Sequence, residues 1–503
     1  MSVRRWLASL SVLSLVVGCG GGSGNNNGGG NNPSLTISPA SSTVIAGGSP
    51  VNFTATLANA TGSVSWALSG PGSINPTTGD ATSYTPPASV TSSTTATLTA
   101  TAAGLTASAT ITVDPPPTIT VAGTVKDLTR KGIAAATVAI GSQHTTTDGT
   151  GGFTIAGVTA PYDATVIVPV GSRNAAIVFK GLTRVDPTLF ALPVAGTLPS
   201  AGTVTGSVSG GDPLPAASDI TAVSWGSPET TQTNTFATNP WSLNLSWAAT
   251  PAATTGNVHA LQWTPASGIP TGYRGHGVKT GVAVANGGTT SSVAVAMSAP
   301  ASSTIGGTVT VPAGVTMTGK ALSIDFADGA SFSVGSENSA ATAFNYPVPT
   351  GIDSTASVLA GGTATGAITL TRVRGIAAGS TGTTVSVLAP ATQSTPVNNA
   401  TGVSTSTDFT WTQLTGGLHF VVITSASATA PVYYLITTGT TGRIPDLSAL
   451  GVVLPGATAY SWAILAVGPW ASVDDFAGGT GLLPTGANTL SQSLAAGRAF
   501  TTQ

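Results

Sequence analysis

The chain has 503 residues, of which 64 are Gly, 33 are Pro and only 6% are charged, where an ordinary soluble domain has about 25%. Fifteen basic against seventeen acidic residues give a formal net charge of −2, so no basic stripe is available to neutralise phosphates, and nucleic acid is argued against as a partner. Val, Ile and Thr recur in short runs broken by Gly and Pro, which argues against charge-driven disorder and for an all-β chain. The length asks for three to five modules and not for a single core.

The N-terminus reads "MSVRRWLASLSVLSLVVGC". Arg4 and Arg5 precede an apolar stretch from Trp6 to Val17, and Gly18 stands before Cys19, the only cysteine. A basic start, a short apolar segment and a small residue before the cut make a secretory signal, and the stretch is too short to span a bilayer comfortably. "VVGC" (Val16 to Cys19) resembles the bacterial lipobox, although Leu is more usual three positions before the cysteine. The resemblance implies that Cys19 is lipidated: its thiol accepts a diacylglycerol thioether, and two or three acyl chains anchor stably where one does not. The competing reading is an ordinary buried or unpaired cysteine, but Gly on both sides leaves little to bury it against. Gly20, standing where an Asp signals inner-membrane retention in such lipoproteins, implies the outer membrane. "GGGSGNNNGGGNNP" (20–33) is then a tether of about 20 Å by random-coil scaling.

Residues 34–114 carry short alternating segments at Leu35–Ile37, Val51–Leu57, Val64–Leu68, Ala96–Ala100 and Ala107–Val113. Their spacing and Gly, Pro and Asn punctuation read as a β-sandwich with Trp66 in a central strand, and the segment resembles bacterial immunoglobulin-like domains. "DPPPT" (114–118) is a stiff boundary.

The next module, 117–196, carries "VAGTV" (121–125), "GIAAATVAIG" (132–141) and "TTTDGTGGFTIAGV" (145–158). It resembles the carboxypeptidase regulatory-like family, which implies a transthyretin-type sandwich without catalytic residues. "VAGTV" is echoed by "VTGSV" at 204 and "IGGTV" at 305, and "GVAVANGGTTSSVAVAMSAPA" (281–301) by "GIAAGSTGTTVSVLAPA" (375–391). Repetition at this length predicts sandwiches of one general type at 197–301 and 302–390, and not a solenoid. From 391 to 503 the chain resembles a fibronectin type III-like sandwich: Trp411 as the buried second-strand aromatic, Tyr434 in the third strand and Tyr460 in "LPGATAYSWAI" as a tyrosine-corner candidate.

No H-E-x-x-H, G-x-S-x-G, S-x-x-K or Walker-type motif occurs. With Cys19 assigned to the anchor, no thiol nucleophile or Cys-based metal site remains, and no cofactor is implied. His144, His259, His276 and His419 lack ligand spacing. Asp325/Asp328 and Asp474/Asp475 read better as turn formers than as an acid–base pair, and Asp148 alone falls short of a calcium site. Five aromatics, Trp225, Trp241, Trp247, Trp263 and Tyr273, fall in one module, and stacked rings suit sugars. Trp241, Leu243, Leu245 and Trp247 share one face of a strand, so core is the stronger reading, with Trp225, Trp263 and Tyr273 as the candidate ligand-facing rings. The sequence thus predicts a tandem all-β, lipid-anchored, outer-membrane protein with a structural or adhesive role, its partner an envelope protein or polysaccharide. A polysaccharide-binding module and an accessory subunit of a secreted hydrolase are the alternatives.

Overall fold

The computed structural model describes residues 32–194, 200–211, 218–227, 231–236, 239–247, 253–479 and 487–503. Among them are 37 β-strands, one 3-10 turn (Ser448–Leu450) and one α-helix of four residues (Val473–Phe476). The protein is all-β, a tandem series of two-sheet sandwiches, in two compact units divided between Pro117 and Thr118.

The first unit packs two four-stranded sheets face to face. One runs Ser34–Ser38, Val51–Ala58, Ala81–Thr85, Ser73–Asn75, and the other Ser41–Ile45, Leu105–Asp114, Thr94–Ala102, Ser65–Ser69. Period-two alternation makes the core: Phe53 and Ala55 from one sheet meet Ala96, Leu98 and Ala100 from the other. Trp66 is buried there, but Ser65–Ser69 is an edge strand and not a central one. Alternation reports which face is inward, not how many neighbours a strand has. The indole N–H of Trp66 donates to the Gly79 carbonyl at 2.7 Å, which satisfies it inside the core.

The second unit contains three copies of one seven-stranded arrangement. Their first strands are Thr118–Lys126, Ser200–Ser209 and Ala301–Thr310, on which the three sequence echoes fall. In each copy the strands pair in the order fourth–first–seventh in one sheet and third–second–fifth–sixth in the other, with the first and seventh strands parallel. The echo has a physical cause. Val121 and Val125, Val204 and Val208, and Ile305 and Val309 all point into their cores, with Gly123, Gly206 and Gly307 between them on the same face. Each glycine pairs with an aromatic at the start of the fourth strand: Phe153, Trp241 and Phe344. A Cβ there would lie 2.7, 2.6 and 2.7 Å from the ring. The glycine makes room for a large ring in a thin sandwich, and the ring covers the bare backbone.

The C-terminal module has a three-stranded sheet (Gln393–Thr395, Phe409–Trp411, Thr441–Gly442) and a four-stranded one ordered Val432–Thr437, Leu418–Thr424, Ala459–Gly468, Thr489–Thr502. Trp411 is buried in the second of the facing strands. Tyr434 lies on Val432–Thr437, the strand after the one expected. Tyr460 opens its strand as expected, but its hydroxyl donates to the Pro431 carbonyl at 3.1 Å, so it ties the strand to a distant loop and not to the neighbouring corner.

This four-stranded sheet has no free edge among its long strands. Arg173–Leu182, the sixth strand of the first copy, runs parallel to Val432–Thr437, pairing Ala175 with Val432 through to Phe179 with Ile436. On the other side Ala367–Ile376, the sixth strand of the third copy, pairs antiparallel with Thr489–Thr502, from Ala367 with Ala495 to Val373 with Thr489. Three sandwiches therefore share one continuous sheet of 13 strands. Closing both edges with native partners removes the unpaired N–H and C=O rows that make edge strands prone to association.

Candidate functional site

The sequence candidates come first. Cys19 lies outside the described residues. Trp225 is 0% exposed in the core of the second copy, with Trp241, Leu243, Leu245 and Trp247. Trp263 and Tyr273, 3% and 5% exposed, lie with Ala222 and Leu261 in a core cluster shared with the third copy. None of the three rings faces solvent, so a sugar has no access to stack on them.

The strands bring together two histidines that are distant in sequence. His259 and His276 sit on the outer face of the second copy, and Phe326 of the third copy inserts against both, with ring centroids 4.2 Å and 5.2 Å away. Asp328 accepts from Asn257 Nδ2 at 2.8 Å and pairs with His259 Nε2 at 2.8 Å. It approaches closely because Gly226 has no Cβ to meet it. Burial pushes the Asp328 carboxyl up, but the bonds from His259, Asn257 and the Ala330 N–H outweigh it and hold the group below the usual range. Burial, with the neighbouring His259, pushes His276 down to about 4.

A His–Asp pair invites comparison with a catalytic dyad, but this one is walled in. His259 and Ser224 are buried, and the Ser224 hydroxyl accepts from the Ser331 backbone. An enzyme needs its base within reach of a substrate proton, and the His259 imidazole, 8% exposed, offers little such reach among the described residues. The arrangement is a polar joint between two copies.

Asp148, Asp325 and Asp474 are committed to structure. Asp325 accepts from Ser331 Oγ, and Asp148 from Thr150 and the Gly152 N–H in its own turn, which holds it below the carboxylate range. Asp474, in the four-residue helix, accepts from the Thr183 and Arg184 backbone of the first copy, while Asp475 N–H is capped by Ser472. Among the described residues no group of three His, Cys, Asp or Glu side chains could hold a metal.

Open surface features instead line the seam between the first copy and the C-terminal module. The seam is built on an aromatic hub: Phe476 is fully buried with ring centroids 5.4–6.2 Å from Phe179, Phe190, Phe420 and Trp470. At one end of the parallel strand pair is a hollow of about 510 Å³. One wall carries Ser172, Arg173 and Asn174, and the other Ser427, Thr429 and Thr458. Arg173 Nη1 donates to the Ser425 carbonyl at 3.0 Å and Ser172 Oγ to the Ala428 carbonyl at 2.8 Å, so the turn of one module is stitched to a loop of the other. Elsewhere on the seam an apolar groove of about 520 Å³ is lined by Leu128, Leu192, Phe420, Val422, Leu465 and Val467. Beside it Ile368, Leu494 and Leu465 form a cross-strand row with 44%, 46% and 37% of their surfaces exposed. Sequence patterning had no means of finding either feature, because each is made by modules that meet only in three dimensions.

No protein family matches the chain, and no curated protein matches it. Among solved structures it is similar to the Bacillus anthracis TIE protein, at 11% identity over 72% of this chain and 75% of that one, with a TM-score of 0.21. It is also similar to the open form of the pilus adhesin SpaC from Lactobacillus rhamnosus GG, at 12% identity over 79% and 55% of the two chains (TM-score 0.17). Two B repeat units of the collagen-binding protein of Staphylococcus aureus align at 11% identity over 71% and 99%, with a TM-score of 0.13. At these values the likeness carries no functional argument, and the all-β assignment rests on the strand pairing described above.

Proposed function

We propose that the protein is a lipid-anchored envelope or cell-surface component with a structural or adhesive role and no catalysis of its own. The observation that supports this most is the shared sheet: three sandwiches are joined through backbone hydrogen bonds into one body, and Asp148, Asp325 and Asp474 among their acids are spent on internal bonds. Rigid presentation of surfaces is what such a body does well. The anchor belongs to the same reading, with Cys19 as the lipidated residue, Gly20 directing the chain to the outer membrane, and the Gly/Asn segment as slack before the first sandwich. Module boundaries at 114–118, 197, 302 and 390 are part of it. Among the described residues no helix is long and apolar enough to cross a membrane.

Cell fractionation tests the anchor. The native chain is expected in the outer-membrane fraction and Cys19→Ser in the soluble fraction; retention of the variant in membranes would refute the lipid assignment. Assaying the native chain for glycosidase and peptidase turnover tests the rest, with none expected. A second reading, polysaccharide binding, is favoured by the hydroxyl-lined hollow at the seam and not by the tryptophans first considered for it.

A further inference from the structure

We infer that the hollow between Arg173 and Thr458 is a binding site for a carboxylate-bearing saccharide, with Arg173 taking the carboxylate. The inference rests on the polysaccharide-binding reading and names its site and ligand class.

Arg173 is held in place from behind. Nη1 donates to the carbonyls of Ser425 and Ser427, at 3.0 and 3.5 Å, which fixes a planar guanidinium in the wall. Lys180, Arg184, Arg274, Lys320 and Arg443 each have a carboxylate partner. Arg173 has none among the described residues, and the lining of the hollow contains no Asp or Glu. A half-buried, oriented guanidinium without a counter-charge suits a planar carboxylate, which it can take through paired N–H donors.

The remaining lining selects the rest of the ligand. Asn174 offers an amide that can both donate and accept. The hydroxyls of Ser172 and Thr458, which donate to the Ala428 and Gly456 carbonyls, keep lone pairs to accept. Ser427 and Thr429, bonded to each other, leave one proton to donate, and the set suits the vicinal hydroxyls of a sugar ring. Pro431 and the exposed Val453 add apolar surface for the ring's C–H face. Its size lies in the range of about 300–1,000 Å³ usual for small-ligand sites.

The test is calorimetric titration of the full chain in detergent with trigalacturonic acid and with its methyl ester, which keeps the sugar and removes the charge. The acid is expected to bind at least about tenfold more tightly than the ester, a difference of about 1.4 kcal/mol. Arg173→Gln should lower affinity for the acid about tenfold and leave the ester unchanged. Because Arg173 also supports the loop, Ser427→Trp serves as a second variant: it fills the hollow from an exposed position and should abolish binding of both. No binding of the acid at millimolar concentration, equal binding of acid and ester, or binding that survives both substitutions would overturn the inference. Tighter binding of a tripeptide carboxylate than of the uronate would overturn the saccharide assignment. Failure here leaves the Cys19→Ser fractionation result standing, and the reverse also holds.

Discussion

Two of the places where modules meet closely in the second unit are built from opposite materials. At the seam, the first copy and the C-terminal module share a run of parallel strand pairing and an aromatic hub around Phe476. At the joint, the second and third copies meet mostly through side chains: an apolar cluster with Trp263 and Tyr273, Phe326 against two imidazoles, and Asp328 gripped by His259 and Asn257, with a backbone bond from Ser336 N–H to the Gly268 carbonyl. Backbone pairing fixes register, since a slip of one residue would turn every side chain to the wrong face. Side-chain contacts fix only a local fit, and titratable ones make it depend on pH. The seam should thus behave as part of a core throughout, and the polar part of the joint as a conditional contact.

The largest expected effect falls on the seam. Phe476→Ala removes the ring that four other aromatics meet, and should cost about 3–5 kcal/mol. Thermal unfolding of the native chain should melt the first copy and the C-terminal module in one transition, and the variant should lower that transition. Independent melting of the two would break the comparison at its root.

A smaller loss is expected at the joint. Asp328→Ala leaves the donors of His259 and Asn257 without their acceptor and should cost about 1–3 kcal/mol. The loss should appear as lowered local protection at the joint and spare the seam. Hydrogen exchange followed segment by segment would show whether protection falls only around 220–226, 257–276 and 326–331.

The third effect is pH dependence. His276 is held near 4 when folded and returns to about 6.5 when unfolded, so below 6.5 the unfolded chain takes up a proton that the folded chain refuses. Stability should fall as pH drops from about 6.5 to about 4, and then level off as far as this group is concerned. Asp328 acts only lower, where pH falls through its depressed carboxyl range. His419, pushed down by burial in the C-terminal module, adds a slope of the same sign. The comparison is therefore between native and His276→Phe chains melted at pH 7 and 4.5, and the variant should show the shallower slope. Equal slopes would mean that His276 is not the titrating group of the joint.

The smallest effect concerns the helix that carries the hub. Asp474→Asn keeps the shape and weakens the acceptor for the Thr183 and Arg184 N–H groups, with an expected cost near 1 kcal/mol in the seam transition.

Much of the architecture could be read from the residues because the relevant physics is local. The alternating face of Trp241–Trp247 announced a core strand, and it is one. The repeated glycine of "VAGTV", "VTGSV" and "IGGTV" marked equivalent strands because each must admit a ring. What stayed hidden depends on edges and outer faces. Trp263 and Tyr273 could be taken as ligand-facing rings because nothing in the sequence tells that the third copy covers them. Arg173 gave no signal at all: its surroundings come from residues 425–458, and no local pattern links the two.

The parallel pairing at the seam also imposes a timetable. Ser172 and Ala428, bonded to each other, stand 256 residues apart in the chain. A polypeptide emerging N-terminus first presents Arg173–Leu182 long before its partner strand exists, and contacts of such long range close slowly. Throughout that interval the first copy carries an open apolar edge while two further sandwiches are being completed behind it. Maturation of the second unit should accordingly wait on the last module to arrive, which makes the interval before its arrival the stretch in which the chain most needs shielding from its neighbours.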